Sequence, residues 1–94
     1  MVSIRVKVRA SETFLYGGPG VYATTNSPFY LLVHVPDVAD KIKIFSVPPD
    51  SKPNESLGDL APGESLLVEL KGIVGVKAWT AEDSLVECHF LNRT

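Results

Sequence analysis

The sequence holds a single cysteine and little charge of either sign, and each shortage excludes a class of protein. One cysteine, Cys88, cannot form a disulfide within the chain, which excludes the disulfide-rich scaffolds of small secreted proteins. Lysine and arginine number 9 against 11 acidic residues, and the net charge of -2 gives no basic surface for nucleic acid. We therefore expect neither an internal disulfide nor a nucleic-acid partner.

Long apolar runs are missing as well. No stretch approaches the roughly 18 consecutive apolar residues that a membrane-spanning helix needs. Residues 1–8 alternate apolar with polar side chains, whereas a signal peptide is continuously apolar. We expect no membrane partner, no signal peptide and no transmembrane segment, and the compartment stays undetermined by these features.

The residues that are present suffice for one small core. The 94 residues include 45% apolar side chains, which is not the composition of a disordered chain. A chain of this length supports one hydrophobic core, so residues 1–94 are predicted to form a single domain. Such a domain buries only about 60 to 65% of its unfolded surface, and burying more apolar area against another molecule stabilises it. We therefore expect a homo-oligomer.

Apolar residues recur at every second position through most of the chain, which is the period of a half-buried strand. In the opening segment, Val2, Ile4, Val6 and Val8 alternate with polar residues. Prolines, glycines and polar clusters separate such segments, and none has a helical period. Seven strands are predicted, over residues 2–8, 21–25, 29–35, 41–47, 65–70, 73–79 and 84–91. The predicted fold is all-β, a two-sheet β-sandwich of immunoglobulin-like or jelly-roll-like build.

Two segments rich in glycine or proline are predicted as connections. Residues 11–20 end in a Gly-Gly-Pro-Gly sequence, which predicts a turn or an arm. Residues 48–63 hold four prolines and two glycines, which predicts a long surface connection. Leu57 and Leu60 are expected to tack that connection down, through one short helical turn at most. The Lys-Gly pair at residues 71–72 predicts a tight hairpin.

Residues able to carry chemistry are few. Cys88 and His89 are neighbours on a predicted strand, so they point to opposite faces and cannot form a nucleophile–base pair. Cys88 is expected in the core with Val86 and Phe90, and His34 is expected as an outward imidazole. No residue set has zinc or EF-hand calcium spacing, and no nucleophile, base and orienting group can be placed on one face. We expect no metal, no cofactor and no enzymatic activity.

The strand faces that point away from the core carry many large apolar residues. The predicted core comprises Phe29, Leu31, Val33, Ile42, Ile44, Leu66, Val68, Leu70, Val74, Val76, Val86, Cys88 and Phe90. The period of two then sends five other residues outward, namely Tyr30, Leu32, Phe45, Leu67 and Trp79. An exposed apolar and aromatic face favours a protein interface. Two alternatives stay open, in which residues 14–16 fold over that face or Trp79 turns inward.

The second half of the chain resembles a known family. Residues 60–65 (Leu-Ala-Pro-Gly-Glu-Ser) precede an apolar strand and a glycine-containing turn, and residues 75–80 and 86–90 follow. This ending resembles that of small virion proteins of tailed phages, of the capsid-decoration or head-fibre type, and residues 21–25 look like their early strand. The resemblance implies a non-catalytic virion protein that binds a capsid lattice, often as a symmetric oligomer. It carries over no functional residue.

Two functions from different classes are weighed. The first is a non-catalytic, virion-associated interaction module that binds a protein lattice through its exposed aromatic face and Gly/Pro loops. The alternative is a ligand-binding or inhibitory domain that uses residues 11–20 and 48–63 for recognition, since loops on rigid β-scaffolds often bind ligands. Glycosylation acceptor patterns at Asn54 and Asn92 are interpreted as chance, because nothing else in the sequence indicates secretion.

Overall fold

The computed structural model of the protein describes residues 2–9, 11–17, 30–36, 41–50 and 52–91. These residues form eight β-strands and no helix. The strands are β1 (Val2–Val8), β2 (Ser11–Tyr16), β3 (Tyr30–His34), β4 (Ile42–Val47), β5 (Glu55–Leu60), β6 (Ser65–Glu69), β7 (Gly75–Thr80) and β8 (Ser84–Leu91). The described residues accordingly include no helix long and apolar enough to cross a membrane.

The strands form two antiparallel sheets of four. Sheet A has the order β1-β8-β3-β6, and sheet B has the order β2-β7-β4-β5. Every pairing within both sheets is antiparallel. The two sheets pack face to face, which confirms the predicted all-β sandwich.

The core lies between the inner faces of the two sheets. Alternation along β8 turns Val86, Cys88 and Phe90 inward, and all three are buried, as predicted. The ring of Phe90 meets that of Tyr16 from the opposite sheet, with centroids 6.1 Å apart. The buried apolar residues are Val6, Val8, Leu15, Tyr16, Leu31, Val33, Val35, Ile42, Ile44, Leu60, Val68, Leu70, Val76, Ala78, Val86, Cys88 and Phe90. One continuous core therefore joins the two sheets.

The prediction of a turn or arm over residues 11–20 is wrong for its first part, because residues 11–16 form β2. Leu15 and Tyr16 enter the core, and this burial stabilises the strand. Turn chemistry begins at Gly17, whose positive φ of 80° ends the strand. The predicted strand over residues 21–25 and the predicted core residue Phe29 lie outside the described residues.

The prediction of one long connection over residues 48–63 is also wrong, because residues 55–60 form β5. The prolines that suggested a connection flank this strand instead of lying within it. β5 is an edge strand, where Gly58 adopts a φ of 136° beside a register shift, and edge strands tolerate such irregularity. Leu60 is buried, and Leu57 packs partly against the core.

The Lys-Gly pair at residues 71–72 does not join two paired strands, so the predicted hairpin is wrong. β6 belongs to sheet A and β7 to sheet B, and this turn carries the chain between the sheets. Val74 lies in the turn before β7 and is 46% exposed, which corrects its predicted place in the core. Its backbone N–H donates to the carbonyl of Val47, 2.9 Å away. Leu66, also predicted in the core, is partly buried.

The edges of the two sheets differ. β1 and β6 flank sheet A, and both pair with their neighbours in unbroken register. β2 and β5 flank sheet B, and both of their pairings contain a register shift, between Phe14 and Tyr16 in one and between Ile44 and Phe45 in the other. Such bulges twist an edge strand away from regular pairing. Sheet A therefore has regular edges, and sheet B has irregular ones.

Candidate protein-binding surface

The five residues predicted at an interface do not form one face. Tyr30, Leu32 and Leu67 lie on the outer face of sheet A, on β3 and β6. Phe45 and Trp79 lie on the outer face of sheet B, on β4 and β7. The expectation of a single aromatic face is thus corrected, because strand alternation fixes the side of a residue within its sheet but not which sheet it joins.

All five side chains point away from the core, although to different degrees. Tyr30 is 38% exposed, Leu67 is 54% exposed and Trp79 is 37% exposed. Leu32 and Phe45 are half-buried. The alternative in which Trp79 turns inward is therefore wrong.

The alternative in which residues 14–16 cover the outer face is wrong as well. These residues form the end of β2, with Leu15 and Tyr16 in the core. Phe14 points outward and joins the outer face of sheet B opposite Lys77. Sequence reasoning missed Phe14 as a surface residue because it treated this segment as a loop.

Aromatic residues and lysines alternate on the outer face of sheet B. Across the strands, one row runs Phe14, Lys77, Phe45, and the next row runs Glu12, Trp79, Lys43. We call this set of six residues the aromatic–lysine face. Its aromatic residues on β4 and β7 occupy the two central strands of the sheet, where the backbone is held on both sides.

Each lysine of the aromatic–lysine face lies over a ring. Lys77 Nζ is 4.9 Å from the centroid of Phe14, and Lys43 Nζ is 5.5 Å from that of Trp79. Lys77 Nζ also lies 3.2 Å from Glu12 Oε2. A cation over an exposed ring contributes about 0.5 to 1 kcal/mol, so these contacts favour one orientation of the rings.

Lys43 is the lysine of this face whose charge is not neutralised locally. Its cross-strand neighbour Asp59 forms an ion pair with Lys41 at 3.3 Å. Among the described residues, Lys43 has no ion-pair partner. A carboxylate approaching Trp79 from outside therefore meets a positive charge beside the ring.

Gly75 leaves room for the ring of Phe14. A Cβ at position 75 would stand 3.1 Å from Phe14 Cε1 and 3.0 Å from the carbonyl oxygen of Tyr16. Both distances are tighter than an ordinary contact, so a side chain there would push the ring outward. The Phe14 ring can therefore occupy this position only because residue 75, at the start of β7, has no side chain.

The outer face of sheet A carries two polar contacts among its apolar side chains. Ser3 Oγ and His89 Nδ1 share a hydrogen bond of 2.8 Å, and His34 Nδ1 and Ser65 Oγ share one of 2.7 Å. Glu87 Oε1 lies 3.7 Å from His89 Nε2, beyond hydrogen-bond distance. Both histidines point outward, as the sequence predicts for His34.

A serine, a histidine and a carboxylate therefore do lie on one face, which corrects the expectation that no such set can be placed together. Ser3, Glu87 and His89 line an open cleft of about 200 Å³ with Ile4 and Arg5. Sequence reasoning missed this grouping because it depends on the pairing of β1 with β8, which brings together Ser3 and His89, 86 positions apart. The carboxylate lies 3.7 Å from the imidazole, which is longer than a hydrogen bond.

The remaining chemical groups are inert or dispersed. Cys88 is buried, and desolvation by burial raises the pKa of its thiol to about 12, so it stays protonated and unreactive. Within the part of the chain that the structure describes, no three His, Cys, Asp or Glu side chains are grouped to hold a metal ion.

An apolar cleft of about 320 Å³ opens beside β6. Residues of β4, β5, β6 and the turn after β6 line it. Leu57, Leu66 and Ile73 are partly buried there against the core, and Glu55 and Glu69 supply its acidic groups. The cleft lies where edge strands of both sheets face outward.

No protein-family description, curated protein or solved structure matches this chain. Its similarity to virion proteins of tailed phages therefore stays a prediction, and function has to be inferred from the surfaces.

Proposed function

We propose that the protein is a non-catalytic interaction module that docks on another protein through the aromatic–lysine face of sheet B. The observation that carries the proposal is Trp79, a 37% exposed tryptophan on a central strand of sheet B, with Phe14 and Phe45 on neighbouring strands. Exposed aromatic residues held in one place are the usual anchors of protein interfaces.

Preorganisation supports the same proposal. The ring of Trp79 lies beneath Lys43, and that of Phe14 lies beneath Lys77 and above Gly75. Side chains already ordered lose less conformational entropy on binding, and more of the buried area contributes to affinity.

The charge on this face indicates the chemistry of the partner. Lys43 offers an unneutralised cation beside Trp79. A complementary surface therefore presents apolar side chains with a carboxylate near its centre. The class of partner we propose is a protein of a virion lattice, with this chain attached as a homo-oligomer, because the similarity to small phage virion proteins points there.

The ligand-binding or inhibitory alternative has less loop surface than the sequence indicated. Strands occupy residues 11–16 and 55–60, which leaves residues 48–50, 52–54 and 61–63 as the described part of the second loop. The observation that favours this alternative is the cleft beside β6, whose 320 Å³ is near the lower limit of about 300 Å³ for small-molecule pockets.

Site-specific photo-crosslinking tests the docking proposal. A photoreactive phenylalanine analogue replaces Trp79 in one variant and Leu85, which is 42% exposed on sheet A, in the control. In particles or cells that contain the protein, we expect position 79 to form one crosslinked species with a second protein and position 85 to form none with that protein. Equal crosslinking at both positions, or none at position 79, contradicts the proposal.

Binding of the captured protein, once purified, then separates docking from chance proximity. Trp79→Ala and Phe45→Ala are each expected to weaken its affinity by about tenfold or more, as loss of an aromatic anchor does. A captured capsid protein supports the virion class, and a protein outside the virion rejects that class. Unchanged affinity in both variants rejects the aromatic–lysine face.

A further inference from the structure

We infer that copies of this chain join edge to edge, with β6 of one copy pairing to β1 of the next, so that sheet A continues between molecules. The inference specifies the contact within the proposed homo-oligomer. It uses a surface separate from the aromatic–lysine face, so the two proposals can fail independently.

Within the described part of the chain, both strands have an open side. Among the described strands, β1 pairs with β8 alone and β6 with β3 alone. The open side of an edge strand presents unpaired backbone N–H and C=O groups, which can accept another strand. Both strands keep regular register, with seven paired residues in β1 and five in β6.

The edges of sheet B lack this regularity. Both the β2 and the β5 pairings contain a register shift, and Gly58 in β5 adopts a φ of 136°. Bulged edges resist strand addition. Of the edges formed by described strands, the two regular ones therefore both belong to sheet A.

Strand direction permits the joint. Sheet A has four strands, and each runs antiparallel to its neighbour, so β1 and β6 run in opposite directions. A second copy placed beside the first in the same orientation presents its β1 antiparallel to β6. The combined sheet keeps the same antiparallel alternation across the joint.

One register satisfies charge and burial together. Placing Val6 of one copy opposite Val68 of the other keeps the inner faces together, and antiparallel pairing then sets Arg5 opposite Glu69. Both Arg5 and Glu69 are exposed, and neither has an ion-pair partner among the described residues. Opposite charges at facing positions of a strand pair favour that pairing.

Apolar surface at the β6 edge supports the same pairing. In this register Leu67, which is 54% exposed, lies opposite Lys7, whose methylene groups can cover it. The apolar cleft lined by Leu66 and Val68 opens beside the same strand. A neighbouring copy at β6 would therefore remove apolar area from water as well as complete backbone pairing.

The joint uses two different edges, so it is a head-to-tail contact. Contacts of this kind do not stop at a dimer but close into a ring or extend as a filament. We expect the weight-average mass of the wild-type protein to rise beyond that of a dimer as concentration increases.

Charge reversal measured by sedimentation velocity tests the inference. Arg5→Glu and Glu69→Lys each place like charges across the joint, and each is expected to weaken association by at least about tenfold. The double variant restores opposite charges and is expected to return association to within about threefold of the wild type. Asp59→Lys is the matched control, because it makes the same charge change on β5, and it should leave association unchanged.

Two outcomes overturn the inference. One is a wild-type protein that is monomeric at every concentration, and the other is association that the double variant fails to restore. Circular dichroism of each variant checks folding, which exposed positions 5 and 69 should not disturb.

Thiol crosslinking gives a second measure of register. A short bis-maleimide should join Arg5→Cys in one copy to Glu69→Cys in another, because paired positions lie about 5 Å apart. It should not join Arg5→Cys to Ser65→Cys, since four residues along a strand span about 13 Å. Buried Cys88 does not compete for the reagent. Equal crosslinking of both pairs contradicts the register.

Discussion

The two sheets of this small sandwich share one core but differ in what they offer to other molecules. Sheet B has bulged edges and an outer face built from Phe14, Phe45 and Trp79 with lysines over the rings. The outer face of sheet A mixes the polar side chains of His34 and His89 with exposed apolar ones, and sheet A has two regular edges. On this difference rest the two proposals, a face that binds a foreign protein and edges that bind further copies.

Substitution in the core that the two sheets share is expected to have the largest effect on stability. Phe90 is buried on sheet A and its ring contacts Tyr16 of sheet B. Phe90→Ala should lower the free energy of unfolding by about 3 to 5 kcal/mol, through lost burial and a residual cavity. Urea denaturation followed by tryptophan fluorescence and circular dichroism should give one coincident transition. Two separate transitions would mean that the sheets unfold independently.

The reactivity of the buried Cys88 thiol measures whether sheet A opens in the native protein. Burial raises its pKa from 9.0 to about 12, so the native thiol at pH 8 should react about a thousandfold more slowly than the unfolded thiol. Because the raised pKa favours the protonated thiol, its contribution to stability is present below pH 9 and is lost as the pH rises toward 12. Labelling kinetics with and without urea measure the first effect. Fast native labelling would indicate that sheet A opens.

A matched pair of aromatic residues contrasts the two outer faces. Trp79 on sheet B and Tyr30 on sheet A are equally exposed, at 37% and 38%. Trp79→Ala should weaken partner binding by about tenfold or more, whereas Tyr30→Ala should change it less than twofold. Biolayer interferometry with the captured partner measures both. Equal losses would remove the distinction between the faces.

Substitution of Gly75 is expected to have a smaller effect on stability and binding, and it tests how Phe14 is positioned on sheet B. Gly75→Ala should displace the ring of Phe14, lower stability by about 1 kcal/mol and weaken partner binding a few-fold. In a Phe14→Ala background, part of the stability loss should disappear, because the displaced ring is already gone. Thermal unfolding of the four proteins in this double-mutant cycle provides the measurement. Additive losses would show that Gly75 does not act through Phe14.

Alternation was sufficient to predict six of the strands and most of the core. β1, β3, β4, β6, β7 and β8 all contain inward apolar residues at every second position. β2 and β5 were missed because turn residues lie beside them, although burial of Leu15 and Leu60 stabilises extended structure there. Turn residues indicate only local structure, whereas the core that stabilises β2 and β5 is formed by residues far away along the chain.

The candidate surface was predictable only in part. Alternation correctly turned Trp79 and Phe45 outward, but it could not show that Tyr30, Leu32 and Leu67 belong to the other sheet. Nor could it bring Ser3 beside His89, since that contact depends on long-range pairing. Strand order is a property of the whole fold, and a period of two carries no information about it.

Sedimentation velocity of Glu69→Lys and Trp79→Ala, measured side by side over a range of concentrations, tests the division of roles between edges and face most directly. We expect Glu69→Lys to sediment as a monomer or far smaller species, and Trp79→Ala to associate like the wild type. A monomeric Trp79→Ala with a fully associated Glu69→Lys would contradict that division, because the copies would then meet through the face of sheet B.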